Sequence, residues 1–160
     1  MTIQSVRQSG GDGLVKIVFN LPSDGDSFET ESLWAEPLPG GLYRLRNVPF
    51  FVRGFSECGI IQAVESDGQL KVTGVAERGG HSTYRIFLPK NTTEEQFAQR
   101  WIALSHLGCT YERATSRLIA VDVPPKSDVY AVYSVLEQGE HNGLWEFEEG
   151  HCGHPLRDGK

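Results

Sequence analysis

The hydrophobic pattern of this chain changes at Gly79-Gly80, and that change constrains the fold more than any single motif does. Before it, short alternating runs of apolar and polar residues are separated by Gly, Pro and Asp turns, a pattern typical of strands joined by hairpins. After it, strand patterns alternate twice with helical patterns. The sequence therefore predicts an α+β protein with parts at residues 1–80 and 81–150 and a C-terminal tail at 151–160.

In the first part, the alternation of apolar and polar residues predicts five short strands after a loose lead-in that ends at Gly13. A polar loop is expected at residues 22–27, and Ser66-Asp67-Gly68 is a strong hairpin signal. No helical pattern appears in this part. Five strands at hairpin spacing predict a small β-barrel-like sheet. The strands are expected at residues 14–19, 31–38, 42–46, 60–64 and 70–75.

The second part predicts a ferredoxin-like βαββαβ plait packed against that sheet. Its first helix is expected to start with a capping box of Thr92 and Glu95 and to stop at Gly108. The second helix is expected from about Ser127, with Gly139 or Gly143 at its end. The predicted strands lie at residues 83–88, 109–113, 117–123 and 144–148.

Alternation along these strands assigns side chains to two faces of the plait sheet. One face is apolar and is expected under the helices: Tyr84, Ile86, Leu88, Ile119, Val121, Val123, Trp145 and Phe147. The other face carries four carboxylates (Glu112, Asp122, Glu146 and Glu148) beside Arg85. Such a face would repel a phosphate backbone, so we expect no nucleic-acid partner. Two alternatives remain: the acidic face docks a basic protein, or the first part covers it and Arg85 pairs within the charge cluster.

Composition and cysteine usage restrict the setting of the protein. The net charge is −6, which is typical of a soluble protein and also suits a basic partner. No apolar run approaches the length of about 18 residues that crosses a bilayer, and the N-terminus lacks a secretory pattern. Three cysteines far apart fit a reducing compartment. We therefore expect a cytoplasmic protein with no membrane partner.

No known catalytic or metal-binding motif appears in the chain. His151-Cys152-Gly153-His154 offers one short-spaced pair of metal ligands, but zinc sites usually need a second pair. Cys109, which opens a strand, is expected to be a buried thiol. The sequence therefore predicts no cofactor, no metal and no catalytic residue.

Three runs of residues carry a resemblance to a known family. They are Leu33-Trp34-Ala35-Glu36-Pro37, Gly41 to Phe51 with Asn47-Val48-Pro49-Phe50-Phe51 at its end, and Gly80-His81-Ser82-Thr83-Tyr84-Arg85. In this order and spacing they resemble the bacterial DUF4265 family, over roughly residues 14–150. The chain departs from it after Ser56, where Glu57-Cys58-Gly59 stands in place of the Gly-Asp that the family tends to carry. The resemblance implies no reaction.

These observations support two hypotheses of function. The first is a non-catalytic protein-binding module, such as an immunity-type protein that neutralises a basic toxin domain through acidic residues: Glu112, Asp122, Glu137, Glu140, Glu146 and Glu148. The alternative is a small-ligand or regulatory domain that uses the cleft between the two parts. We expect that cleft to be formed by Phe50, Phe51, His81, Ser82 and Arg85.

Overall fold

A computed structural model of the chain describes residues 2–4 (backbone only), 13–21 and 29–156. Over these residues the chain forms two β-sheets and two α-helices, which confirms the predicted α+β class. The expected loop at residues 22–27 and the last four residues of the expected tail lie outside the described residues.

The first sheet has six strands within the described residues, in the order β1-β3-β2-β6-β5-β4. The strands are β1 (Thr2–Gln4), β2 (Val15–Leu21), β3 (Glu29–Leu38), β4 (Leu42–Leu45), β5 (Ile60–Ser66) and β6 (Gln69–Glu77). β1 pairs in parallel with β3, so the expected lead-in includes a short strand. β3 also pairs with β4, and each strand from β2 to β6 therefore has a neighbour on both edges.

The interior of the first sheet follows from alternation along its strands. Ile17 and Phe19 of β2 and Leu33 and Ala35 of β3 point inward and are fully buried. β5 and β6 pair as an antiparallel hairpin around Asp67-Gly68, where the sequence predicts it.

The second sheet has four antiparallel strands in the order β10-β7-β9-β8. The strands are β7 (Ser82–Phe87), β8 (Thr110–Arg113), β9 (Leu118–Val123) and β10 (Glu146–His151). The helices are α1 (Glu94–His106) and α2 (Val129–His141). Every residue predicted to face the helices lies in or against one apolar cluster with α1 and α2, which confirms that face assignment.

The ends of the two helices differ in detail from the prediction. The capping box of α1 is formed by Thr93 and Gln96, because the hydroxyl of Thr92 donates instead to the backbone oxygen of Leu144, at 2.7 Å. Asp128 caps α2. Gly139 lies inside α2 and does not end it, because the helix continues to His141 just before Gly143.

A third apolar cluster lies between the two sheets. Val48 and Phe50, from the segment between β4 and β5, pack against Leu118 and Ala120 of β9. Leu118 and Ala120 belong to the face of the second sheet that points away from the helices. The first part of the chain therefore covers this face at β9, whereas Glu146 on the edge strand β10 stays exposed.

Candidate functional site

A buried carboxylate of the first sheet holds the segment Phe50-Phe51-Val52. Glu31 of β3 is fully buried and accepts three backbone N–H groups. Its Oε2 accepts from Phe50 N at 2.6 Å, and its Oε1 accepts from Phe51 N at 3.1 Å and Val52 N at 2.9 Å. Burial raises the pKa of this carboxyl above its ordinary value, although the three N–H groups oppose the shift. Glu31 therefore fixes the course of the segment.

Arg85 of β7 contacts the same segment from the second sheet. Its guanidinium is fully buried, and Nη2 donates to the backbone oxygen of Val52 at 2.5 Å. Nη1 lies 3.7 Å from Oε2 of Glu148, and within the described residues neither Nε nor Nη1 has a hydrogen-bond partner. An added Cβ on Gly150 would lie 2.8 Å from Cζ of Arg85, so a glycine backbone closes over the guanidinium. Burial lowers the pKa of Arg85.

Two histidines lie at the other end of β7. His81 Nδ1 lies 2.8 Å from Oδ1 of Asp122, and this hydrogen bond raises the pKa of His81 above its ordinary value. His154 Nε2 lies 2.8 Å from the backbone oxygen of Pro124, which can only accept, so Nε2 carries the proton. Nδ1 of His154 then accepts the hydroxyl of Ser82, at 2.6 Å.

The Ser82–His154 pair has the residue types of a catalytic dyad, but Ser82 is fully buried. Its oxygen also accepts the N–H of Gly153, at 3.0 Å. The pair therefore ties residues 152–154 to β7. The sequence contains no local signal for this contact, because Ser82 and His154 are 72 positions apart.

The structure divides the six predicted partner-binding carboxylates into two groups. Glu112 accepts from the backbone N–H of Val48 at 3.2 Å, Asp122 is buried against His81, and Glu148 pairs with Arg53 at 3.2 Å. These three have partners inside the molecule. Glu137, Glu140 and Glu146 are exposed.

The three exposed carboxylates lie around the C-terminal turns of α2 and the start of β10. Glu137 and Glu140 follow Tyr133 at four and seven positions, which places all three on one helix face. Oε2 of Glu140 accepts from the backbone N–H of Phe147 at 3.2 Å, so its carboxylate lies beside the backbone of Glu146. Tyr133 is 44% exposed, and its ring centroid lies 5.5 Å from that of Phe147. We call Tyr133, Glu137, Glu140 and Glu146 the acidic surface.

The predicted ligand cleft between the two parts offers little space. Phe50, Ser82 and Arg85 are fully buried. The cavity beside His81 holds about 10 Å³, room for at most one water molecule. Phe51 is the exception: it is 39% exposed and borders a separate groove of about 530 Å³ with Phe55. The five predicted residues therefore do not line one common cleft.

In the part of the chain that the structure describes, no group of side chains is arranged to bind a metal ion, and the thiols are not activated. No group of three His, Cys, Asp or Glu side chains is placed there to hold a metal ion. Cys58, Cys109 and Cys152 are free thiols. Burial raises the pKa of Cys58, and it raises that of Cys109 to about 12, which disfavours the reactive thiolate. None of the helices in the described ranges is long and apolar enough to span a membrane.

The fold and the site define an α+β protein whose second sheet is covered by helices on one face and by the first part of the chain on the other. The family model of DUF4265, a domain of unknown function, matches residues 31–147, which is more than half of the chain. The chain therefore belongs to the DUF4265 family, as its motifs indicate.

A solved structure shares the fold. It is described as a novel crystal structure of a hypothetical protein from Neisseria gonorrhoeae. The two chains are 16% identical, the TM-score is 0.75, and the match covers 88% of this chain and 96% of that chain. At this identity the likeness concerns the fold alone. No functionally curated protein matches the chain.

Proposed function

We propose that the protein is a non-catalytic protein-binding module that docks a basic partner on its acidic surface. One observation carries the proposal. Glu137, Glu140 and Glu146 are exposed, and no cation within the described ranges pairs with any of them, whereas Glu112, Asp122 and Glu148 are each bound to another group of the chain. The unpaired carboxylates remain available to a cation on another protein.

The setting of the three carboxylates strengthens their attraction for a basic surface. They lie near the C-terminal end of α2, where the aligned peptide dipoles add partial negative charge. Complementary charges of this kind accelerate association and exclude like-charged partners. The half-exposed ring of Tyr133 adds a residue type that is enriched in protein interfaces. A basic surface with an apolar centre fits this combination.

The most concrete form of the proposal is an immunity-type protein that neutralises a cognate bacterial toxin by covering a basic region of it. The small size and acidic charge of the chain support this form. We also propose a cytoplasmic location, which the three free thiols support.

We infer a more specific description of the two parts. The strand neighbours on both edges of β2 to β6 support a small barrel for the first part. The strand order β10-β7-β9-β8, with α1 and α2 on one face, supports a ferredoxin-like plait for the second.

The test uses two charge-reversal variants with the same change in net charge. The first, Glu137→Lys/Glu146→Lys, alters the acidic surface; it spares Glu140, which binds the backbone of Phe147. The control, Glu65→Lys/Glu77→Lys, alters exposed residues of the first sheet. A protein captured by the tagged wild-type chain in its native host is purified, and its affinity for all three chains is measured by calorimetry at low and high salt.

We expect the first variant to bind at least about tenfold more weakly than wild type, with a smaller dependence on salt. The control should bind as wild type does. Equal affinity of all three chains would contradict the proposal.

A further inference from the structure

In contrast to the acidic surface, a cleft on the α1 side of the second sheet carries mainly positive charges. Its walls are the segment between β7 and α1 and the turn between β8 and β9, and its volume is about 540 Å³. We propose that this cleft, the basic cleft, binds a small organic anion, a phosphorylated or carboxylated molecule with an apolar body. The site goes beyond the proposed protein-binding function and uses none of the residues of the acidic surface.

Charge is the first argument for an anionic ligand. Three cations line the cleft, Lys90, Arg113 and Arg117, against the single carboxylate of Glu94. This leaves a local excess of positive charge in a chain whose net charge is −6. Lys90 and Arg117 are exposed, and no carboxylate in the described part of the chain pairs with either. Both cations are therefore available to a ligand.

The third cation is held in position before any ligand arrives. Nη2 of Arg113 lies 2.8 Å from the carboxylate of Glu94, and Nη1 donates to the backbone oxygen of Ser116 at 3.2 Å. The guanidinium also lies 5.1 Å from the ring centroid of Phe97. Because these contacts already order Arg113, it loses little freedom on binding. Lys90 and Arg117 are left to adapt to the ligand.

The backbone on both sides of the cleft is also ordered. Oγ1 of Thr115 accepts the N–H groups of Arg117 and Leu118, which sets the turn between β8 and β9. On the other side, Leu88 N donates to the backbone oxygen of Arg117 at 2.8 Å and joins the two walls.

The apolar part of the lining indicates an organic ligand rather than an inorganic ion. Leu88, Pro89 and Ala114 line the cleft together with the charged residues. The volume lies within the range of about 300–1,000 Å³ that is typical of small-molecule sites. A lining that combines apolar residues with cations matches a molecule that has an apolar body and an anionic group.

The test is a titration of the full chain, followed by amide NMR shifts. The probes are phenyl phosphate, inorganic phosphate and the neutral compound benzyl alcohol. The test variant is Lys90→Gln/Arg117→Gln, which removes the two unpaired cations and leaves the Arg113–Glu94 pair in place. The matched control, Lys71→Gln/Lys126→Gln, removes the same charge from residues outside the cleft. Spectra of the free variants confirm that each is folded.

We expect phenyl phosphate to shift the amides of residues 88–95 and 113–117 with saturation, and to bind more tightly than inorganic phosphate or benzyl alcohol. The test variant should lose at least tenfold in affinity, and the control should match wild type. Non-saturating shifts, saturating shifts elsewhere, or equal affinity of both variants would overturn the proposal. Equal binding of phenyl phosphate and inorganic phosphate would overturn the role of the apolar lining residues. None of these outcomes depends on the acidic surface, so they leave the proposed protein-binding function to its own test.

Discussion

Gly139 occupies a position in α2 where no side chain fits. An added Cβ would lie 2.5 Å from Nε1 and 2.6 Å from Cζ2 of Trp145, well inside van der Waals contact. Trp145 is almost fully buried in the apolar cluster under the helices, and its Nε1 donates to the backbone oxygen of Leu136 at 2.9 Å. The substitution Gly139→Ala must therefore displace the indole, the helix, or both.

The expected cost combines three contributions. Overpacking a well-packed core costs about 1–3 kcal/mol. Displacing the indole strains or breaks its bond to Leu136, which adds about 1–3 kcal/mol if the buried N–H is left unpaired. Alanine recovers about 1 kcal/mol because it favours the helix more than glycine does. We therefore expect Gly139→Ala to lower the free energy of unfolding by about 3 kcal/mol, and the melting temperature by about 6–12 °C.

Urea unfolding, followed by tryptophan fluorescence and circular dichroism, measures this change. The control is Ser134→Ala, an exposed position in the same helix, where we expect a change within about 0.5 kcal/mol. A double-mutant cycle with Trp145→Phe tests the cause, since removing the indole should make Gly139→Ala markedly less costly. If Gly139→Ala is neutral or stabilising, or if its cost is the same in the Trp145→Phe background, the reasoning is refuted.

Two further predictions concern buried charges. The raised pKa of His81 means that the folded protein holds the imidazole proton more tightly than the unfolded chain does. The pair with Asp122 therefore stabilises the folded state fully below about pH 6.5, and this stabilisation is lost as the pH rises through the raised pKa. Urea unfolding measured from pH 5.5 to 8.5 should show this loss of stability in wild type but not in Asp122→Asn. An equal dependence of the free energy of unfolding on pH in both chains would contradict the prediction. Arg85→Ala should cost about 2–5 kcal/mol because it removes a large, fully buried side chain and leaves the backbone oxygen of Val52 without its donor. The charge of Arg85 also attracts the buried carboxylate of Glu31, so the costs of Arg85→Ala and Glu31→Gln should not add in a denaturation-based double-mutant cycle, and strictly additive effects would contradict this coupling.

Local signals account for most of the elements that the sequence predicts. The helical spacing of Phe97 and Leu104 and the alternation along β7 and β9 depend on neighbours a few positions away, and both are confirmed. The start of α1 differs by one residue because Thr92 donates to Leu144, a contact across 52 positions that no local pattern encodes. Gly139 lies inside α2 rather than at its end, because its constraint is the ring of Trp145, which no local pattern encodes either.

The candidate sites depend on contacts of longer range. Strand alternation groups the four acidic residues of the sheet, but it cannot tell that Asp122 meets His81 or that Glu112 meets Val48. Sequence reasoning does not find the basic cleft, because its cations come from the segment between β7 and α1, from the end of β8 and from the turn that follows it. None of the three belongs to a recognisable motif, so the sequence carries no signal for their proximity.

The sequence by itself determined the α+β class, the order of the elements in the second half, the face of each strand under the helices, and membership of the DUF4265 family. These properties follow from periodicity, caps and motifs, all of which are local along the chain. Only the tertiary structure decided that Glu31 and Arg85 hold the segment Phe50-Phe51-Val52 over the second sheet. That contact joins residues up to 33 positions apart, and burial makes it specific because each buried polar group must find a partner to offset its lost hydration.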